Sequence, residues 1–203
     1  SRGLGDVYKR QVLMSAIKPL GTPTADFARM VYELALGGCP LIKDDHSLLN
    51  QKPAPFEERV KACVDAVEAA NAKTGGKSQF IANCTADGLQ FLERAFKAKE
   101  LGAGGIMAAP GLLGFSMIRE LSKDPEFGLP IYLHPCFSGS LVLKDDCGIS
   151  PFCYYGQISR LAGADAVIFT SFGGRFPFSQ EVCQNICNGT ETRMADLKPI
   201  FPV

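Results

Sequence analysis

The chain has 203 residues, 46% of them hydrophobic, with 21 Lys and Arg against 21 Asp and Glu and a formal net charge of +0. That length and composition fit one soluble globular domain or most of one. The balanced charge argues against nucleic acid or an anionic membrane as partner, no apolar run is long enough to cross a bilayer, and no charged-then-apolar signal segment opens the sequence, so a cytoplasmic location is expected.

Residues 1–11 are polar and follow no period. Within them Asp6-Val7-Tyr8-Lys9-Arg10-Gln11 looks like the translation of a transposase end sequence used in sequencing-library adapters. The segment is expected to be disordered and is set aside as an assembly scar, leaving 12–203 as the folded unit. The apolar run 12–17 is the first expected strand, followed by Lys18-Pro19 and a turn. Thr24 is placed to cap a helix running to Leu36, with Phe27, Met30, Val31 and Leu34 on one stripe. Leu41-Ile42 forms the second strand, and 55–72 a helix with Phe56, Val60, Cys63, Val64 and Val67 inward. Strand three is 79–83, and Asp87 caps a helix to Leu101 that Gly102 ends. Strand four is 105–109, a short helix covers 115–121, and strand five runs 129–133 up to His134. Helix five spans 152–161, strand six 166–169, helix six 179–187, and 200–203 begins strand seven with nothing after it.

Seven continuously apolar strands alternating with six helices require a mainly parallel sheet covered on both faces. An open doubly wound sheet fits as well. A (β/α)8 (TIM) barrel, incomplete because strand eight is missing, fits better for two reasons. Polar residues end five different strands: Lys18, the group Lys43 with Asp44 and Asp45, Asn83, His134, and Ser171 with Arg175. A barrel gathers such ends around one mouth. There is also no GxGxxG after the first strand, which weakens a dinucleotide-binding fold.

The most informative stretch is Gly37-Gly38-Cys39-Pro40-Leu41-Ile42-Lys43-Asp44-Asp45-His46, an apolar run that ends in a lysine, two carboxylates and an imidazole. Local chemistry leaves two readings open: a salt-bridged strand end or the base of a metal site. Eight cysteines, at 39, 63, 84, 136, 147, 153, 183 and 187, show no CxxC pair and no zinc-finger spacing. They are expected as reduced, mostly buried thiols.

Ile17-Lys18-Pro19, then Gly37-Gly38 leading to Lys43-Asp44-Asp45, resembles the C-terminal barrel of the ribulose bisphosphate carboxylase (RuBisCO) large chain. The likeness continues through Leu49-Asn50-Gln51, 55–60, Asn83-Cys84-Thr85-Ala86, Leu133-His134-Pro135 with Phe137-Ser138-Gly139, and Gly173-Gly174-Arg175-Phe176. The pattern is that of the RuBisCO-like proteins (form IV), which share the barrel and usually do not fix CO2. The family's N-terminal domain and last strand are then expected to lie outside this sequence.

What the resemblance implies is specific. Lys43 matches the lysine that the family carbamylates with CO2 to hold Mg²⁺, and Asp45 matches a carboxylate ligand of that metal. The next family ligand is Glu; here His46 stands instead, and imidazole suits Zn²⁺, Fe²⁺ or Mn²⁺ better than Mg²⁺. His46 is therefore a metal ligand, an acid or base, or a solvated loop residue. Asp44 orients its neighbours. Lys18 matches the lysine that moves protons at the enediolate, His134 a histidine near the substrate's hydroxyl groups, and Asn83 an active-site asparagine near the metal. A carboxylase has an arginine after the strand-five histidine, a second histidine in strand six and a loop lysine after it. Here Pro135, the run Val167-Ile168-Phe169, and Gly173-Gly174-Arg175 occupy those places. Arg175, with Ser171, is left to grip a phosphate or carboxylate. The resemblance thus implies metal-assisted enolisation or isomerisation of a small phosphorylated keto-sugar, of the methionine-salvage type, by a homodimer. A decarboxylase of a branched sugar acid phosphate, a genuine carboxylase, and a barrel that has lost catalysis for a binding role are the alternatives.

Overall fold

The computed structural model describes residues 12–144, 146 and 148–203. The adapter-like segment 1–11 and Cys147 lie outside the described residues. Seven strands, β1 (Met14–Ile17), β2 (Leu41–Asp44), β3 (Gln79–Asn83), β4 (Gly105–Ala108), β5 (Ile131–Leu133), β6 (Ala166–Val167) and β7 (Phe201–Pro202), form one sheet in sequential order. Every neighbouring pair is parallel. Sequential parallel order with helical crossovers is the topology of a (β/α)8 barrel, here a curled, incomplete one.

The crossovers are α1 (Thr24–Leu36), α2 (Phe56–Thr74), α3 (Gly88–Glu100), α4 (Pro110–Leu113), α5 (Phe115–Lys123) and α6 (Gly139–Val142). A π-helix over Phe152–Ile158 then continues as α7 (Ser159–Leu161), and α8 (Gln180–Glu191) precedes β7. The helices pack one stripe each against the outside of the sheet. On α1 it is Phe27, Val31 and Ala35; on α2 it is Phe56, Val60, Cys63, Val64 and Val67. These join Ile42, Phe80, Ala82, Ile106, Ala108, Leu133 and Val167 of the strands in one core. Truncating a fully buried ring such as Phe27 to alanine costs about 3–5 kcal/mol. The alternate strand residues point into the barrel, where a Cβ added at Gly105 would meet Ile81 and Tyr132 at 3.0 and 3.1 Å.

Several expectations are corrected. Thr24 does not cap α1: Pro23 stands at the N-cap and its carbonyl takes the first-turn N–H groups of Asp26 and Phe27. Asp87 does occupy the N-cap of α3, without a side-chain bond. Ser179 caps α8 by accepting from Val182 N. The helix expected over 152–161 is largely π-wound, and α4 and α6 were not foreseen. β5 and β6 are shorter than their apolar runs. Of the described cysteines, all free, only Cys39, Cys63 and Cys84 are buried and four are half-buried. No described helix is long and apolar enough to cross a membrane.

Candidate active site at the C-terminal end of the second strand

β2 ends in three charged residues, and the strand's alternation sends them to two different places. Asp44 points outward into the helix layer and is 0% exposed. The Arg59 guanidinium of α2, equally buried, donates Nε–H to Asp44 Oδ1 at 3.2 Å and an Nη2–H to Oδ2 at 3.3 Å. Asn83 N–H adds a third donor to Oδ2 at 3.1 Å. Burial pushes this carboxyl up and the Arg59 charge opposes it. Three N–H donors on two oxygens suit an ionised carboxylate, and geometry decides here over burial. Arg59 also donates to the carbonyls of Leu48, Leu49 and Ala54, so one side chain ties the whole β2–α2 loop to the core.

Lys43 and Asp45 face the other way, into the mouth. Lys43 is 6% exposed. Burial is the largest influence on its amine and lowers its pKa; the Lys18 charge lowers it further, and Asp45 pulls against both. Its Nζ donates to Asp44 O at 3.1 Å. Asp45 meets Lys18 Nζ at 3.6 Å and accepts from the Ser47 hydroxyl at 3.1 Å. Partial burial would raise its carboxyl, but His46, Ser47 and the two lysines outweigh burial and hold it below the usual range.

His46 and His134, the chain's 2 histidines, stack with ring centroids 4.6 Å apart and planes 22° off parallel. His46 Nδ1 is 3.4 Å from Asp45 Oδ1 and, though buried, has no hydrogen-bond partner among the described residues. His134 Nδ1 accepts from Cys136 N–H at 3.0 Å, which leaves the ring's own hydrogen on Nε2. Burial, then the Lys43 and His46 charges, lower the His134 pKa to about 3. It is a neutral imidazole that offers an N–H.

Lys18, Lys43, Asp45, His46 and His134 are thus brought together from β1, β2 and β5. Asn83 is near but aimed elsewhere: its amide N–H groups donate to the carbonyls of Asp45, His46 and Leu48, and its Oδ1 accepts from Thr85 N. It holds the loop that carries Asp45 and His46, beside the cluster. Ser171 and Arg175 lie on the exposed loop after β6, and no hydrogen bond or ion pair among the described residues joins either side chain to the cluster. Arg59 escaped the sequence reading, although a charged residue inside the apolar stripe Phe56–Val60–Cys63 was a usable signal.

No three His, Cys, Asp or Glu side chains converge on a metal-sized point among the described residues. The oxygen-rich alternative needs Lys43 itself to become a ligand. An amine held toward its neutral form, a carboxylate beside it and an orphaned imidazole nitrogen fit that requirement.

Fold and site define a (β/α) barrel protein with a lysine–carboxylate cluster at the mouth. The chain belongs to the RuBisCO large chain family: the family described as ribulose bisphosphate carboxylase large chain, catalytic domain, matches residues 2–194. It is 33% identical over 200 residues to the 2,3-diketo-5-methylthiopentyl-1-phosphate enolase of Geobacillus thermodenitrificans, covering 97% of this chain and 48% of that protein. It is also 33% identical over 200 residues to the 5-methylthioribulose-1-phosphate isomerase of Rhodospirillum rubrum, covering 98% and 52%. A rubisco-like protein (MtnW) from Alicyclobacillus acidocaldarius superposes with a TM-score of 0.88 at 30% identity, over 99% of this chain and 51% of that one. The chain spans about half the length of the relatives it matches.

Proposed function

We propose that the protein carrying this chain is a RuBisCO-like enzyme (form IV) that enolises or isomerises a small phosphorylated keto-sugar through an enediolate, as in methionine salvage. The observation that carries the reading is Lys43: a buried amine shifted toward its neutral form, beside Asp45 and Lys18, at the end of a barrel strand. The names of the two relatives above supply the substrate class.

A neutral lysine captures CO2, and the carbamate so formed on Lys43 would hold Mg²⁺ together with Asp45. His46 would join as a third ligand, and its imidazole makes another divalent metal acceptable. When bound, such an ion would supply Lewis-acid polarisation of a carbonyl at the mouth.

The chain's own groups do the rest. Lys18 Nζ, on a side chain 62% exposed, reaches substrate and, as the neutral amine, takes the proton from the carbon next to the carbonyl and becomes the ammonium that Asp45 pairs with. Asp45 keeps that amine in place. His134 donates its Nε2–H to a substrate oxygen and, being neutral, lends polarity without a competing charge. Arg175 and Ser171 supply a guanidinium and a hydroxyl to a phosphate or carboxylate on the β6 side. The free thiols accord with a cytoplasmic setting. The same reading makes the whole protein a homodimer.

The test is isotope exchange. In D2O with Mg²⁺ and bicarbonate, the whole protein is expected to exchange the proton next to the carbonyl of a methylthio keto-sugar monophosphate. It is expected to incorporate no CO2 into ribulose bisphosphate, because Pro135 and Arg175 stand where a carboxylase has arginine and lysine. Absence of exchange, or measurable carboxylation, overturns the reading.

A further inference from the structure

The loop after β5 is held by a part of the fold that the proposed chemistry leaves unused. Residues 135–138 make a tight turn closed by Ser138 N–H to Pro135 O at 3.1 Å. Phe137 sits third in that turn at φ 69, the left-handed region that such turns reserve for glycine. A phenylalanine there is strained, and a ring 71% exposed is too little packed to hold the turn itself.

The restraint comes from behind. Ser138, fully buried, lies 2.6 Å from Pro135 O and 2.7 Å from the Tyr155 hydroxyl. Each hydroxyl has one hydrogen. Ser138 spends its own on the carbonyl, so Tyr155 is the donor to Ser138 Oγ. Tyr155 is 1% exposed and belongs to the π-helix, a winding uncommon in proteins and found disproportionately at functional positions. It buries Tyr154, Tyr155 and Gly156 in succession, which the three-to-four spacing of an α-helical stripe does not do. The π-helix is itself anchored by backbone contact with α8. A Cβ on Gly156 would lie 2.5 Å from the Gly189 carbonyl carbon, so only glycine allows the crossing. The Tyr155 ring meets Phe178, on the β6 side, edge to face at 6.3 Å. The braced turn then delivers Cys136 N–H to His134 Nδ1.

We propose that Tyr155 is a positioning residue for His134: through Ser138 its hydroxyl fixes the 135–138 turn, and with it the Nε2–H tautomer and ring direction that His134 presents to substrate. This rests on the reading of His134 as a substrate-facing donor, and the experiment separates the two. Tyr155→Phe keeps the ring and its edge contacts and removes only the hydroxyl. In the whole protein labelled with ¹⁵N-histidine, with His134→Asn for assignment, the wild type is expected to show His134 as a single Nε2–H tautomer. Tyr155→Phe and Ser138→Ala are each expected to show a mixture, and the double variant no more than either. Turnover should fall on the order of ten- to hundredfold in kcat with KM within about twofold, as for loss of an orienting partner. Tyr154→Phe, which alters the neighbouring tyrosine packed edge-on against Phe115, should move neither readout. An unchanged tautomer in folded Tyr155→Phe overturns the proposal; if that variant does not fold, an unchanged tautomer in Ser138→Ala overturns it. The tautomer signal needs no substrate. A shift seen in a protein inactive toward methylthio keto-phosphates therefore supports the positioning role and contradicts only the substrate reading.

Discussion

On the helix side of β2, Asp44 is sealed against Arg59 with no access to solvent; on the mouth side, one residue later, Asp45 shares its carboxylate with Lys18, His46 and Ser47. The two residues are chemically identical and adjacent, and the strand's period of two separates them. The outer acid meets a saturated set of fixed donors, which suits a structural anchor. The inner acid meets an amine, an imidazole and a hydroxyl that can exchange partners, which suits chemistry. Charge in the mouth is left adjustable because charge behind it is fully satisfied: Arg59 and Asn83 both donate to Leu48 O, so the loop bearing Asp45 and His46 is gripped from two sides.

Changes on the two faces should therefore fail in opposite ways. The largest effect is expected at Lys43. Lys43→Ala should lower turnover by about a thousandfold or more, the scale of losing the group that assembles the electrostatic site, with little change in melting temperature. Lys43→Arg should fail equally, since guanidinium does not form a carbamate; near-normal activity in Lys43→Arg would remove the carbamate from the account. Behind the strand, Arg59→Ala should cost about 3–5 kcal/mol in urea unfolding because it strands a buried carboxylate. A cost below about 1 kcal/mol would mean the pair does not carry the loop.

His134 gives the next effect, in pH dependence. Its folded pKa lies near 3 against 6.5 for the free side chain, so the unfolded chain binds the proton first. The stability it contributes is complete above pH 6.5 and is lost as pH falls toward 3. Without metal or bicarbonate, the wild type should lose up to about 2 kcal/mol between pH 7 and 5 that His134→Gln does not lose. Equal losses in both would place the sensitivity elsewhere. The smallest effect is expected at His46, where His46→Glu should shift metal preference toward Mg²⁺; an unchanged preference would make the residue a bystander.

Much of the fold and the mouth was legible because both follow from patterns that local physics enforces. Apolar runs bounded by glycine and proline marked each strand, and a barrel necessarily collects strand ends, so Lys18, Lys43, Asp44, Asp45, Asn83, His134, Ser171 and Arg175 could be grouped from the sequence, although among the described residues no hydrogen bond or ion pair ties Ser171 or Arg175 to the rest. Less legible was where side chains spend their hydrogen bonds. Asn83 has the composition of a site residue, but its amide is consumed by three loop carbonyls. Arg59 hides within a helical stripe because its partner lies 15 residues away in sequence. The π-helix shows the same limit, since i→i+5 bonding is a property of the backbone that side-chain periodicity over 152–158 does not encode.

Lys43 is expected to become a metal ligand while Asp44, beside it, stays a structural anchor. The direct measurement is ¹³C NMR of the whole protein equilibrated with ¹³C-bicarbonate and Mg²⁺. A carbamate resonance is expected in the wild type and in His46→Glu and should be absent from Lys43→Ala. No carbamate in the wild type, or one that survives Lys43→Ala, would contradict it.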